Sequence, residues 1–160
     1  NWCPYVARRF PQAVVWTHSA LGWPQAIATY QTFLKTNPSA SILTPVIFYI
    51  SAPTPLTITD LKNLEKISGG WRSIVIVTPH TLRISSMQAE KKIEKYALQH
   101  YSNIYLFHWP HLAQQIMKQY QISLYWGDKI HLNWLGVQFW SVRLHQYLSS
   151  IPTMTPLDSH

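Results

Sequence analysis

The sequence predicts an α/β protein in which a parallel sheet lies between two layers of helices. Short apolar runs of strand length alternate along the chain with segments of helical periodicity. This alternation is the pattern of parallel α/β sheets. The strand-length runs are apolar at consecutive positions, which is typical of strands covered on both faces. Together these observations predict a three-layer α/β/α sandwich.

The first half of the chain supplies two strands and two helices. AVVW at 13–16 predicts a short strand, and PQAIATYQTFLKT at 24–36 predicts a helix that begins with proline. TPVIFYI at 44–50 is β-branched and aromatic, and it predicts a buried strand. In TITDLKNLEKISGG, at 57–70, apolar residues share one helical face and two glycines end the helix.

The second half continues the alternation. SIVIVTP at 73–79 predicts a strand, and SSMQAEKKIEKYALQHY at 85–101 predicts a helix with its polar residues on one side. NIYLFHW at 103–109 predicts the next strand, and LAQQIMKQY at 112–120 predicts a further helix. A polar turn then leads into a closing helix that ends near Ser150.

The composition is that of a packed globular domain. Apolar residues make up 47% of the 160 residues and charged residues 12%. We assign residues 1–150 to one domain and expect 151–160, with its two prolines, to be a flexible tail. No apolar run approaches the roughly 18–20 residues that cross a bilayer. The single cysteine, Cys3, excludes an internal disulfide and a cysteine-based zinc site.

The formal net charge of +7 favours an anionic partner: nucleic acid, anionic lipid or an acidic wall polymer. The basic residues are scattered, and the only adjacent pairs are Arg8–Arg9 and Lys91–Lys92. No nucleic-acid-binding motif accompanies them. We therefore expect no nucleic-acid partner.

The segment GDKIHLNWLG, at 127–136, contains the strongest candidate for chemistry. Asp128 lies three residues before His131, in a polar turn ahead of the last helix. A carboxylate at this spacing can hold Nδ1–H of an imidazole and leave Nε2 as a general base. The turn is expected at the end of the sheet where the strands finish and where ligands bind. The alternative is an ordinary solvated turn.

Several segments resemble one family. The run D-K-I-H-L-N-x-x-G, at 128–136, resembles the last block of SGNH hydrolases. More specifically, the chain resembles the extracytoplasmic domain of acyltransferase-3 proteins, the peptidoglycan and polysaccharide O-acetyltransferases. The other resembling blocks occur in the family's order: RRFPQAVVWTHSALGW, PVIFYISAPTPLT, GGWRSIVIVTP and KKIEKYALQHYSNIYLFHWPHLA.

The resemblance implies a flavodoxin-like SGNH architecture and an acetyl transfer to a glycan or cell-wall polymer, without a cofactor. It implies that His131 is the base and Asp128 the acid of a Ser-His-Asp triad. A membrane portion of a longer parent protein would supply the acyl donor at the extracytoplasmic face of a bacterial membrane. The family's first strand and its G-D-S serine are expected upstream of Asn1.

The chain departs from the family pattern at three places. It contains no G-D-S, and Ser19, in WTHSALGW, is an alternative nucleophile whose register is one strand too late. Pro53 aligns with the Asn of the family's G-T-N-G turn, an oxyanion donor, and proline offers neither an amide nor an N–H. Ser51 or Thr54 is left to donate a hydroxyl there. His108 replaces the aspartate of the family's "D-W" pair.

Two further groups of residues have alternative interpretations. Trp109, Trp126 and Trp134 lie near the candidate site in sequence and either stack on sugar rings or pack the core. His108 and His111 have a spacing that could join His131 around zinc, but we expect no metal site because Pro110 interrupts them. The alternatives to an acyltransferase are a degenerate SGNH-like domain that binds glycan or a partner, and a carbohydrate esterase.

Overall fold

A computed structural model describes residues 8–10, 22–37, 45–49, 55–70, 72–78 and 84–152. Its longer helices and its strands, in chain order, are α1 (Trp23–Thr36), β1 (Val46–Tyr49), α2 (Ile58–Ser68), β2 (Ile74–Val77), α3 (Ile84–His100), β3 (Ile104–Phe107), α4 (Trp109–Tyr120) and α5 (Trp134–Ser150). No helix in these ranges is long and apolar enough to cross a bilayer.

The strands form one parallel sheet in the order β1-β2-β3. Strand β1 pairs with β2 from Val46 opposite Ile74 to Tyr49 opposite Val77. All four residues of β2 are buried, so the central strand is covered on both faces. The predicted α/β class is thereby confirmed. The strand predicted at 13–16 lies outside the described residues.

The helix ends follow local chemistry. Pro24 lies in the first turn of α1, where its missing N–H is not needed. Helix α2 begins with a capping box: the Thr57 hydroxyl accepts from the Asp60 N–H, and the Asp60 carboxylate accepts from the Thr57 N–H at 2.9 Å. It ends at Gly69, whose φ of 68° is the left-handed conformation that glycine favours.

Helix α4 differs from the prediction at its start. It begins at Trp109, three residues before the predicted 112, and Pro110 lies in its first turn. The expectation that Pro110 interrupts the helix before His111 was therefore wrong. Proline breaks a helix only where its ring meets a preceding turn, and at the first turn there is none.

The chain divides into two compact units, of which the described residues are 22–106 in one and 8–10 with 107–151 in the other. In the first unit, Phe48 packs between two aromatic rings of α1, with ring centroids 5.9 Å from Trp23 and 5.7 Å from Tyr30. Leu61 and Leu64 of α2 are fully buried in the same core. This unit encloses its own apolar core.

A buried amide links three segments of that unit. Asn103 is fully buried, and its Nδ2 donates to the Ser68 hydroxyl at 3.0 Å and to the Arg72 carbonyl at 3.1 Å. The Asn103 carbonyl accepts from the Ile74 N–H at 2.8 Å. One residue therefore connects the end of α2, the entry to β2 and the start of β3.

In the second unit, Phe107 stacks on Trp109 and also contacts Tyr147 of α5, at centroid distances of 6.4 and 5.3 Å. Helix α5 buries a stripe at helical spacing, composed of Val137, Trp140, Ser141 and Leu144. The same stripe leaves the opposite face of α5 to solvent. This unit presents the loop that contains the candidate site.

Candidate functional site

The loop between α4 and α5 closes on itself as a small hairpin. Tyr125 and Leu132 form an isolated antiparallel bridge. At the next position the Trp126 N–H donates to the His131 carbonyl at 2.8 Å. These bonds isolate residues 126–131 as a tip and place both ends of the tip side by side.

The tip itself is a tight turn. The Lys129 N–H donates to the Trp126 carbonyl at 2.9 Å, and Lys129 has a φ of 58°. A non-glycine residue in that region is uncommon and needs support from its surroundings. The support comes from Asp128, whose Oδ1 accepts from the backbone N–H groups of Ile130 and His131 at 2.9 and 3.0 Å.

The second oxygen of Asp128 holds the imidazole. Its Oδ2 lies 2.6 Å from His131 Nδ1, the hydrogen bond that the spacing predicted. An ionised carboxylate only accepts, so Nδ1 carries the proton, and in the neutral ring Nε2 is the acceptor. This is the tautomer that a general base requires. Whether His131 and Asp128 act in catalysis stays a prediction.

The Asp128 carboxyl is correspondingly acidic. The hydrogen bond from His131, followed by those from the two backbone N–H groups, lowers the pKa of Asp128 from 3.8 to about 2. Asp128 is therefore ionised at any neutral pH. The pair is open to solvent: 77% of the His131 side chain and 46% of the Asp128 side chain are exposed.

Two further residues of GDKIHLNWLG join the loop to α5. Asn133 caps the helix, its Oδ1 accepting from the Gly136 N–H at 2.8 Å while its Nδ2 donates to the Ser123 carbonyl at 2.8 Å. A Cβ atom at Gly136 would overlap the carbonyl oxygen of Leu124. The motif thus encodes a rigid loop–helix junction as well as the Asp–His pair.

The tryptophans divide into two groups. Trp126 and Trp134 are 52% and 54% exposed, and both adjoin the tip in sequence. Trp109 is 1% exposed, so its assignment to substrate binding is corrected: its ring is covered by core residues and offers no face to a sugar. Trp140 is likewise buried, as expected of a residue that packs α5.

Four predicted site residues lie outside the described residues: Ser19, Ser51, Pro53 and Thr54. Over the part of the chain that is described, no hydroxyl hydrogen-bonds to His131, and no group of three metal-binding side chains is found.

His111 is one of the histidines considered for a metal site. Its Nε2 lies 3.0 Å from the side-chain amide nitrogen of Gln115. Its partner is a neutral side chain of the same helix. Among the residues that the structure describes, His111 therefore differs from His131 in having no carboxylate partner.

Two exposed apolar side chains near the pair were missed by the sequence analysis. Ile130, inside the turn, is 50% exposed, and Leu135, at the start of α5, is 38% exposed. An isoleucine between lysine and histidine in a polar turn was the available signal, because an apolar residue there has no core to enter. The tip therefore combines a polar Asp–His pair with apolar and aromatic neighbours.

Comparison of the sequence with protein-family models gives no match, and no curated protein matches it at a significant level. The likeness to the SGNH-type domains of O-acetyltransferases accordingly stays a resemblance between short segments.

Proposed function

We propose that this chain is an SGNH-like acyl-transfer domain in which His131 and Asp128 activate a hydroxyl nucleophile. The observation that supports the proposal is the 2.6 Å hydrogen bond from His131 Nδ1 to Asp128 on an exposed loop. The bond leaves Nε2 available as a base, and the ionised carboxylate would stabilise the imidazolium that forms on proton transfer.

In the proposed reaction a serine attacks the acyl carbonyl while His131 Nε2 takes its proton. The tetrahedral intermediate collapses, and His131 returns the proton to the leaving group. The acyl-serine is then attacked by a sugar hydroxyl, which His131 deprotonates, and His131 returns that proton to the serine oxygen as the acyl–serine bond breaks. The acceptor is a glycan or cell-wall polymer. The setting is the extracytoplasmic face of a bacterial membrane, with the acyl donor supplied by a membrane acyltransferase portion of the parent protein.

The test uses the protein together with the residues upstream of Asn1 in which the serine is expected, with an aryl acetate as acyl donor and with or without a soluble oligosaccharide as acceptor. His131→Ala and Asp128→Asn are each expected to lower kcat by about 10³–10⁴, since the base or its orientation is lost. His111→Ala is the matched control, because the described partner of this histidine is the neutral Gln115 side chain and not a carboxylate. Unchanged turnover in His131→Ala would contradict the proposal.

The nucleophile is identified separately by a fluorophosphonate, which reacts covalently with an activated serine. Mass spectrometry of the labelled protein then locates the modified residue, either the serine expected upstream of Asn1 or Ser19. Labelling that disappears in His131→Ala is expected, because the serine is activated only through that base. Hydrolysis of the ester without transfer to sugar would favour the esterase alternative.

A binding domain without catalysis is the second candidate, and the exposed rings of Trp126 and Trp134 favour it. Pro53 favours it too, since the loss of one oxyanion donor costs about 10²–10³ in rate. On this alternative Trp126→Ala weakens oligosaccharide binding by roughly threefold to tenfold, the range of an aromatic contact. Asp128→Asn leaves that affinity unchanged, so calorimetry on the two variants separates binding from catalysis.

A further inference from the structure

A groove lies along the outer face of α5 in the second unit, away from the stripe that α5 buries. It is an open surface depression of about 840 Å³. One wall is Arg8 and Arg9. The other wall is α5 at His145. Phe10, the next residue after the two arginines, packs against α5: its ring centroid lies 5.7 Å from that of His145.

The charges in the groove have one sign. Arg8 and Arg9 are exposed, and none of the described residues that line the groove is acidic. Neither guanidinium forms an ion pair with any described residue. By contrast, the Arg143 guanidinium on α5 donates to the side-chain oxygen of Gln146 at 3.1 Å. Two adjacent arginines free of carboxylates form a site for an anion, and the planar guanidinium matches phosphate oxygens. His145 adds an exposed ring N–H donor.

The floor of the groove is apolar. Leu135, Phe139 and Val142 follow one another at spacings of four and three residues, so they form a continuous stripe on α5. Leu135 is 38% exposed, and the other two are only partly buried. A free phosphate ion has no apolar part that could pack against such a stripe. A ligand that carries a phosphate at one end and hydrocarbon at the other would use both parts.

We infer that this groove binds the phosphate headgroup and the adjoining hydrocarbon of an anionic phospholipid, and so holds this face of α5 against a lipid surface. The headgroup phosphate lies between Arg8 and Arg9, and the first acyl carbons lie on the stripe from Leu135 to Val142. Arginine beside a phosphate and a half-exposed apolar stripe match the two parts of an anionic phospholipid. The inference is independent of the acyl-transfer chemistry, because it uses neither Asp128 nor His131.

The test is co-sedimentation of the full chain with vesicles of phosphatidylcholine alone or with added phosphatidylglycerol. Binding is expected only to the anionic vesicles. The double variant Arg8→Gln with Arg9→Gln is expected to weaken it roughly thirtyfold, because each basic residue near an anionic surface contributes about fivefold. Lys91→Gln with Lys92→Gln removes the same charge from α3 and is expected to change binding by less than about threefold.

The apolar part of the site is tested by a second variant and its matched control. Leu135→Ser is expected to weaken vesicle binding by about fivefold, the value of a partly buried leucine side chain. Leu98→Ser is the control, since Leu98 is 68% exposed on α3 and lies outside the groove. If Leu98→Ser matched Leu135→Ser, the stripe would have no specific role and the inference would fall.

Three other outcomes overturn the inference. Equal losses in the arginine and lysine double variants would mean that general positive charge, not this groove, attracts the vesicle. Competition by inorganic phosphate at concentrations that leave ionic strength unchanged would mean that the groove takes a free anion and needs no lipid. A change of sedimentation coefficient in the arginine variant without lipid would mean that a second copy of the chain occupies the groove.

Discussion

Asp128 uses its two carboxylate oxygens for two different purposes. Oδ1 stabilises the turn through two backbone N–H groups, and Oδ2 orients the His131 ring. The i, i+3 spacing predicted the second bond, since a carboxylate at that distance in a turn reaches Nδ1. The bond to the backbone explains why Lys129 tolerates a left-handed conformation within the tip.

We predict that the Asp128 carboxyl titrates with a midpoint near pH 2 and that His131→Phe moves the midpoint partway back towards 3.8. The return is partial because the two backbone hydrogen bonds remain, and hydrogen bonds to the ionised form lower a carboxyl pKa. Side-chain carboxyl NMR across the acid range measures both midpoints. Phe is chosen because it retains a ring but donates no hydrogen bond.

The direction of the pH dependence follows from the lowered pKa. Asp128 binds its proton more weakly when folded than when unfolded, so its contribution to stability is complete above the unfolded value of about 4. It is lost as the pH falls through about 2. An Asp128 midpoint that rose above 3.8 in the folded chain would contradict this account of the loop.

At the scale of elements, the junction of the loop with α5 depends on close backbone approach. Gly136 is buried at the third position of α5, and a side chain there meets the Leu124 carbonyl. Asn133, three residues earlier, connects the same helix to Ser123. These contacts connect the helix start to the strand-like segment that precedes the Asp–His tip.

Gly136→Ala is expected to lower the free energy of unfolding by about 1–3 kcal/mol, the usual cost of overpacking a tight site. The sign of this change tests the explanation, because replacing glycine by alanine in an unobstructed helix instead stabilises a protein by roughly 0.5–1 kcal/mol. Gly127→Ala is the control: a Cβ atom there meets nothing within 4 Å, and a change within about 0.5 kcal/mol is expected. Urea unfolding of both variants measures the difference.

At the scale of the whole molecule, Asn103 joins segments that are far apart in the chain. Its side chain bridges Ser68 and the Arg72 carbonyl, 35 and 31 residues away. These partners precede β2, while Asn103 precedes β3, so the amide aligns the entries of two neighbouring strands. The sequence offered no sign of this role, because a lone asparagine before a strand is typical of an ordinary turn.

We expect Asn103→Ala to lower the free energy of unfolding by about 1–3 kcal/mol, because it leaves the buried Arg72 carbonyl without its donor. Asn63→Ala is the matched control, since Asn63 is an exposed residue of α2, where a change within about 0.5 kcal/mol is expected. Chemical denaturation of the two variants provides the comparison. Equal effects would show that the bridge contributes nothing beyond its neighbours' packing.

The sequence by itself determined the fold class, the order of the elements from α1 to α5, and the Asp128–His131 bond. These features depend on local spacing: apolar continuity marks a covered strand, and three residues in a turn bring a carboxylate to an imidazole. Only the tertiary structure decided that Trp109 is buried while Trp126 and Trp134 are exposed. It also decided that Arg8 and Arg9 face the outer stripe of α5. The physical reason is that a tryptophan or an arginine looks the same in the sequence whether it is buried or exposed. Its environment is set by residues that are distant in sequence.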